Sequence, residues 1–442
     1  MLTAMIPWRS NTMNRVICVR IICLSLAFLP MLRATVFAQE TGGGSANQFD
    51  ARAAARAYLE RPTAKEKARS DAYFEGGYWL QLWQFLYGAA VSVLLLQARL
   101  SARMRDLACR LVRFKPLQTC AYAVQYIVLT SVLLFPLSVY SDFVREHQYG
   151  LATQNFGGWL GDWLKALLVG VIVGCVMLMA LFGVVRRLSR TWHIWGAIVL
   201  FGFLVVLIVL SPVFIAPLFN KYTTLERPEV VEPVLRLARA NGIHADKIYE
   251  VDASRQSKRV SANVSGFLGT MRISLNDNLL NRCSLPEIKA VMAHEMGHYV
   301  LNHIFKGLLF FGVVIVVGFA FLRWALEFLL GRFGPRWGIS GVGDLAVVPL
   351  AALLLSVFTF LLTPITNSFT RMEEAEADIF GLNASREPDG FAEAALKLGE
   401  YRKMQPGPIE EWIFFDHPSG ATRIRTAMQW KAENLAPSAR SH

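Results

Sequence analysis

The sequence predicts a mainly α, polytopic helical membrane protein that carries a small α+β domain. Three observations predict it. Apolar residues make up 54% of the 442-residue chain and give a mean hydropathy of +0.37, and they concentrate in six long uncharged runs. Basic residues gather in the short loops between those runs. The pentapeptide His294-Glu295-Met296-Gly297-His298 then lies at the end of the first long polar stretch. Such a composition excludes an ordinary soluble enzyme of two or three domains.

At the N terminus, Arg9, Arg15 and Arg20 precede the apolar run 21–32 and the tripeptide Val36-Phe37-Ala38. Residues 1–38 therefore read as a signal peptide or a first transmembrane span, and either one delivers the next segment outside the cytoplasm. Residues 39–75, opening with Gly42-Gly43-Gly44-Ser45 and rich in charge, read as an extracytoplasmic linker with a short helix. The runs 76–98, 116–141, 166–185 and 194–219 make a four-span membrane region, 76–219, because each can cross about 30 Å of hydrocarbon. The runs 307–322 and 345–366 make a two-span region, 305–366, the first becoming long enough when Arg323 snorkels.

The net charge of +12 follows the topology. Arg99, Arg103, Arg105, Arg110, Arg113 and Lys115 follow the first span, then come Arg186, Arg187 and Arg190, then Arg332 and Arg336. Counting spans from an outside start puts all three groups in the cytoplasm, as the positive-inside rule requires, and leaves 220–304 and the C-terminal region extracytoplasmic. No basic patch is interleaved with aromatics, so no nucleic-acid partner is expected. Cys18, Cys23, Cys109, Cys120, Cys175 and Cys283 show no C-x-x-C spacing; they read as small hydrophobes, which excludes a disulfide framework and a thiolate zinc site.

Residues 220–304 predict a helix over 228–240 closed by Asn241-Gly242, a strand over 248–251, and a hairpin of 260–268 and 271–275 around Gly269-Thr270. The free edge of such a hairpin can pair with an extended peptide. Next, Ser284, Pro286 and Glu287 form a helix start with capping-box spacing, and Leu285, Ile288, Met292 and Met296 recur at helical intervals. On that helix His294 and His298 are offset by about 40° around the axis and about 6 Å along it, so both imidazoles can reach one metal ion. In an H-E-x-x-H pattern the ion is zinc, one per chain, and Glu295 takes a proton from water attacking a peptide carbonyl.

A tetrahedral catalytic zinc takes a third protein ligand. In the second polar region, 367–442, the charged helix beginning at Thr370 and Arg371 offers Glu373, Glu374 and Glu376, and chemistry alone does not choose among them. Helices follow at 389–404 and 421–435, with Asp416-His417-Pro418 between them; read alone, His417 is a capping or surface histidine.

Five motifs occur in one order: Arg145-Glu146-His147-Gln148-Tyr149-Gly150; Ser257-Lys258-Arg259 through Asn263 to Gly266-Phe267; His294 to Tyr299 with His303; Arg371 to Asp378; and His417-Pro418 with Arg423. In this order they resemble the type I CAAX prenyl protease family of integral-membrane zinc metalloendopeptidases, from about residue 70 onward. The resemblance implies a zincin-like (gluzincin) α+β catalytic domain built from 220–304 and 367–442. It makes Glu374 the third zinc ligand and Asp378 the carboxylate that orients a ligand histidine. It gives Asn263, His417 and Arg423 active-site roles, holding substrate or the developing oxyanion. His303 matches a family position but lies nine residues from His294, half-way round a continuous helix, and is not assigned as a ligand. The family's Asn-Ala-Tyr stands here as Asn263-Val264-Ser265, without the aromatic.

The reading that results is a zinc-dependent endopeptidase, embedded in the lipid bilayer, that hydrolyses membrane-associated peptides or proteins. The signal-like N terminus points to a bacterial inner-membrane relative, in which a prenylated substrate is not expected. A non-catalytic zinc-binding membrane chaperone is the alternative, and Glu295 counts against it, because a structural site has no use for that carboxylate. A transporter would carry ionisable groups within its spans, which these runs largely lack.

Overall fold

The computed structural model describes residues 49–265 and 271–435. Residues 1–38, the Gly42-Gly43-Gly44-Ser45 stretch, Gly266-Phe267 and the Gly269-Thr270 turn lie outside the described residues.

Among the described residues, six helices are long and apolar enough to cross a membrane: α2 (Ala64–Gln97), α4 (Lys115–Gln148), α5 (Phe156–Arg187), α6 (Trp192–Leu218), α10 (His303–Trp337) and α11 (Leu345–Ser385). The protein is therefore an integral, multi-pass membrane protein. Several of these helices overrun the apolar runs that predict them. Helix α2 begins at Ala64, inside the stretch read as linker, with Thr63 and Glu66 forming its capping box. Helix α11 carries the last span onward through the charged 370–378 segment without a break, because no glycine or proline falls between Pro364 and Gly381 to stop it.

The short helix α1 (Ala51–Glu60) is N-capped by Asp50, which accepts from the Arg52 and Ala53 amides. It buries Ala55, Tyr58 and Leu59, and Tyr58 donates to Asp389. This part of the expected linker is thus a packed piece of the C-terminal region. At one end of the spans, α3 (Leu100–Leu111) ties the arginine-rich loops together. The Arg99 guanidinium donates to the Arg336 carbonyl at 2.8 Å, Arg105 pairs with Asp344 at 2.6 Å, and Ser101 donates to the Ala346 carbonyl.

After α6 come β1 (Tyr222–Thr224), α7 (Pro228–Ala240), β2 (Ile248–Val251), β3 (Ala262–Ser265), β4 (Arg272–Asn276) and α8 (Asp277–Arg282). The strands form one sheet in the order β1-β2-β4-β3, antiparallel except for the β2/β4 pair. The expected hairpin pairs β3 with β4, setting Asn263 opposite Ser274 and Ser265 opposite Arg272. Strand β1 is three residues long, too short to show an alternation in sequence. One face of the sheet, with Ala262, Val264, Ile248, Ile273 and Leu275, packs on Val234 and Ala238 of α7 and on Met292 and Met296 of the next helix.

That helix is α9 (Leu285–Val300), and the described residues close with α12 (Pro388–Leu398), α13 (Pro408–Phe414) and α14 (Gly420–Asn434). The Arg145-to-Gly150 motif fastens the approach to β3. Glu146 accepts from Arg259 at 2.8 Å and from the Tyr73 hydroxyl, while the Arg145 guanidinium lies 4.0 Å over the Tyr73 ring.

Helices α9 and α11 cross through two glycines. A Cβ on Gly381 would sit 3.0 Å from the His294 amide nitrogen, and one on Gly297 would meet Phe380 at 3.0 Å and the Ala377 Cα at 3.3 Å. Only the missing side chains let the backbones approach this closely. Gly381→Val should lower the thermal midpoint, at a cost of about 1–3 kcal/mol for overpacking, and weaken metal retention with it. An unchanged midpoint would show that this crossing does not set the spacing.

Candidate metal centre

The two helices bring together three side chains from distant parts of the chain. His294 Nε2 lies 3.2 Å from Glu374 Oε2, His298 Nε2 lies 3.5 Å from Glu374 Oε1, and the two Nε2 atoms are 3.3 Å apart. Among the described residues this is the one group of three histidine, cysteine or carboxylate side chains close enough to share an ion. Glu373 and Glu376, chemically equal in sequence, point elsewhere because successive helical residues are rotated by about 100°. Glu376 meets Lys306 and His303 instead.

Neighbouring groups determine which ring nitrogens carry protons. His294 Nδ1 lies 2.8 Å from Asp378 Oδ1. Ionised Asp378 can only accept, so Nδ1 donates and Nε2 keeps its lone pair. His303 Nε2 faces Glu376 Oε2 at 3.1 Å, and its Nδ1 lies 2.8 Å from His298 Nδ1. Glu376 likewise only accepts, so a neutral His303 donates through Nε2 and accepts at Nδ1, and His298 donates through its own Nδ1. When both ligand rings are neutral, their Nε2 lone pairs and a carboxylate thus converge with no donor among the three.

That arrangement fits a metal. A tetrahedral ion with ligand distances of 2.0–2.1 Å has ligand-to-ligand edges of about 3.3 Å; the two Nε2 atoms are 3.3 Å apart, and each lies within 3.5 Å of one oxygen of the Glu374 carboxylate, His294 of Oε2 and His298 of Oε1. The surrounding charges also favour a cation. Burial lowers the His298 pKa to about 4, whereas at His294 burial is outweighed by Asp378 and Glu374, which raise the value to about 9. A proton on His294 Nε2 would satisfy Glu374 alone; a metal ion satisfies all three acceptors at once.

Asp378 is itself held by Arg423, a bidentate donor whose Nε lies 2.9 Å from Oδ2. Arg423 lines the cleft, yet two of its guanidinium nitrogens are committed to Asp378. It thus lies both in the cleft wall and behind the ligand His294, whose partner Asp378 it holds. His417 does reach the cluster: Nε2 lies 3.3 Å from Glu374 Oε2, and Nδ1 is held by Asp416 at 2.7 Å. Glu295 lies in the wall of the same cleft, of about 240 Å³, with Val260, Ser261, Ala262, Tyr401 and Arg402. Burial pushes its carboxyl up to about 7.

Asn263 does not join these residues. It sits on the opposite face of β3 from Ala262 and lines a different cavity, because adjacent strand residues point to opposite faces. The place of His303 beside His298 depends on a helix break. Helix α9 stops at Val300, and Asn302 adopts a left-handed φ of 57° before α10 starts. A count through one continuous helix therefore puts His303 on the wrong side. Asparagine at such a position is a known helix-ending signal and could have indicated the break.

A family model described as peptidase family M48 matches residues 224–431, and one described as the CAAX prenyl protease N-terminal, five membrane helices, matches residues 54–221. The chain belongs to this family, the type I CAAX prenyl proteases of peptidase family M48. The CAAX prenyl protease 1 of Saccharomyces cerevisiae is 28% identical over 341 residues, 73% of this chain and 75% of the relative. The metalloprotease YhfN of Bacillus subtilis is 27% identical over 318 residues, 72% and 74% of the two chains. The crystal structure of S. mikatae Ste24p superposes with a TM-score of 0.70 at 23% identity, covering 86% of this chain and 94% of that one, which establishes a common fold. Membership of this family makes the protein a membrane metalloendopeptidase with a metal cofactor.

His303→Ala removes no ligand but frees the His298 ring, and should weaken metal affinity by about 10–100-fold. Chelator competition on the purified protein measures it; affinity equal to wild type would exclude the orienting role.

Proposed function

We propose that the protein is a zinc endopeptidase that cleaves membrane-associated peptides or proteins at His294, His298 and Glu374, with Glu295 as general base. The observation that carries the reading is the convergence of the two Nε2 atoms, 3.3 Å apart, on the two oxygens of the Glu374 carboxylate. Two neutral imidazoles and a carboxylate suit zinc and leave a fourth position open. When bound, zinc lowers the pKa of a water molecule to about 7 and polarises the scissile carbonyl. Glu295 accepts the proton of the attacking water and passes it to the leaving amine. Its half-enclosed position keeps it basic enough for that transfer. His417, its Nδ1–H held by Asp416, supplies an Nε2–H donor for the oxyanion in its protonated form. Asp378 and Arg423 fix the His294 ring from behind. The free edge of β3 offers an extended substrate backbone its pairing groups beside the cleft.

In this reading the catalytic domain is assembled from 220–304 and 367–442, on a scaffold of the two membrane regions. It faces the extracytoplasmic side of a bacterial inner membrane, the side opposite the arginine-rich loops, and its substrates are unprenylated. Glu295 argues against a zinc-bearing scaffold without activity.

Glu295→Gln should retain zinc while proteolysis falls by about 10²–10⁴-fold; His298→Ala should lose both. Undiminished cleavage by the Glu295 variant refutes the base assignment. For the side of the membrane, alkaline phosphatase fused after Asn302 and at the C terminus should be active at both sites. Activity at neither would invert the topology.

A further inference from the structure

The sheet has a second, polar face that the catalytic reading does not use. Strand pairing puts Asn263, Ser265, Arg272 and Ser274 on it, with Tyr222 and Tyr249 alongside. These residues look across a cavity at the last turns of α6, Leu207, Ile208 and Pro212. An adjoining apolar arm runs between Val209 and Val213 of α6 and Ile304 and Leu308, in the first two turns of α10. The cavity is therefore polar on the domain side and apolar on the membrane side, at the level where two spans leave the bilayer.

Two of its buried polar atoms lack hydrogen-bond partners among the described residues. Ser274 is only 3% exposed, yet its hydroxyl and the Arg272 Nε make no hydrogen bond within the protein. Arg272 is held in place by stacking: its guanidinium carbon lies 3.6 Å from the Tyr222 ring centroid and 4.6 Å from that of Tyr249. Stacking on aromatic faces fixes an arginine while leaving its in-plane N–H donors free for an anion. A buried hydroxyl without a partner is costly, and an acceptor entering the cavity removes that cost.

We propose that this cavity binds an anionic phospholipid, its phosphate on Arg272, Ser274 and Asn263 and an acyl chain in the arm between α6 and α10. Two features choose a lipid over a peptide carboxylate. The apolar wall belongs to membrane spans and continues outward through exposed Val206, Val209, Val213 and Phe214, so an acyl chain enters from the bilayer without crossing water. A carboxylate alone would leave that arm unfilled. The site is also distinct from the metal cleft, since β3 stands between them with Ala262 facing the cleft and Asn263 the cavity.

The test uses the full chain in a neutral detergent, titrated with phosphatidylglycerol and, separately, phosphatidylcholine, with the thermal midpoint and co-purifying lipid by native mass spectrometry as readouts. Phosphatidylglycerol should raise the midpoint saturably and remain bound where phosphatidylcholine does not. Arg272→Gln should weaken the apparent affinity about tenfold, through loss of a charge-assisted bond. Leu308→Trp fills the apolar arm while leaving the arginine in place and should weaken it similarly, which keeps the test decisive if the arginine variant fails to fold. Equal binding of both lipids, unchanged affinity in a folded variant, or displacement of phosphatidylglycerol by a short peptide with a free C-terminal carboxylate would overturn the proposal.

Discussion

Three hydrogen-bond acceptors held edge to edge, with every proton on the ligand imidazoles directed outward, are the constraint on which the rest of this structure depends. Such a cluster is unfavourable by itself, since lone pairs and a carboxylate face one another in a buried place. It persists because each ligand is fixed from the far side. Asp378 accepts a hydrogen bond from His294 Nδ1–H and is paired with Arg423, and His303 accepts one from His298 Nδ1–H and donates its own Nε2–H to Glu376. The ring orientations are therefore set before any ion arrives, and little rearrangement accompanies binding.

The membrane region makes that preorganisation rigid. Because α11 runs unbroken from the last span into the acidic segment, Glu374 and Asp378 are presented by the same helix that crosses the bilayer. Its glycine-lined crossing with α9 sets the distance to the histidines. At the far end of the spans, Arg99, Arg105 and Asp344 tie the loops together, while near the domain the Arg145, Glu146 and Arg259 cluster holds the strand that borders the cleft. Motifs far apart in the chain thus act on one small volume through helix packing.

Much of the site was legible in the sequence because its signals are local. The H-E-x-x-H spacing, the capping box before it and the span lengths each depend on a few consecutive residues. Glu374 could be chosen from the acidic segment only by family resemblance, since three glutamates there have the same chemistry and only the crossing angle selects among them. Arg423 shows the opposite problem: its presence near the metal was legible, but its commitment to Asp378 depends on how α14 meets α11. His303 is no ligand, as expected, but its contact with His298 was hidden because one left-handed residue, Asn302, resets the helical count.

The sequence by itself determined the six spans, the chemistry of the metal helix and the placing of positive charge, because hydrophobic length, helical period and loop charge act along the chain. Tertiary structure alone decided which carboxylate meets the two imidazoles, where each imidazole proton points, and which face of β3 looks at the metal cleft. Those outcomes rest on contacts between residues tens to hundreds of positions apart, and helix crossing and strand pairing set such contacts in ways no local pattern records.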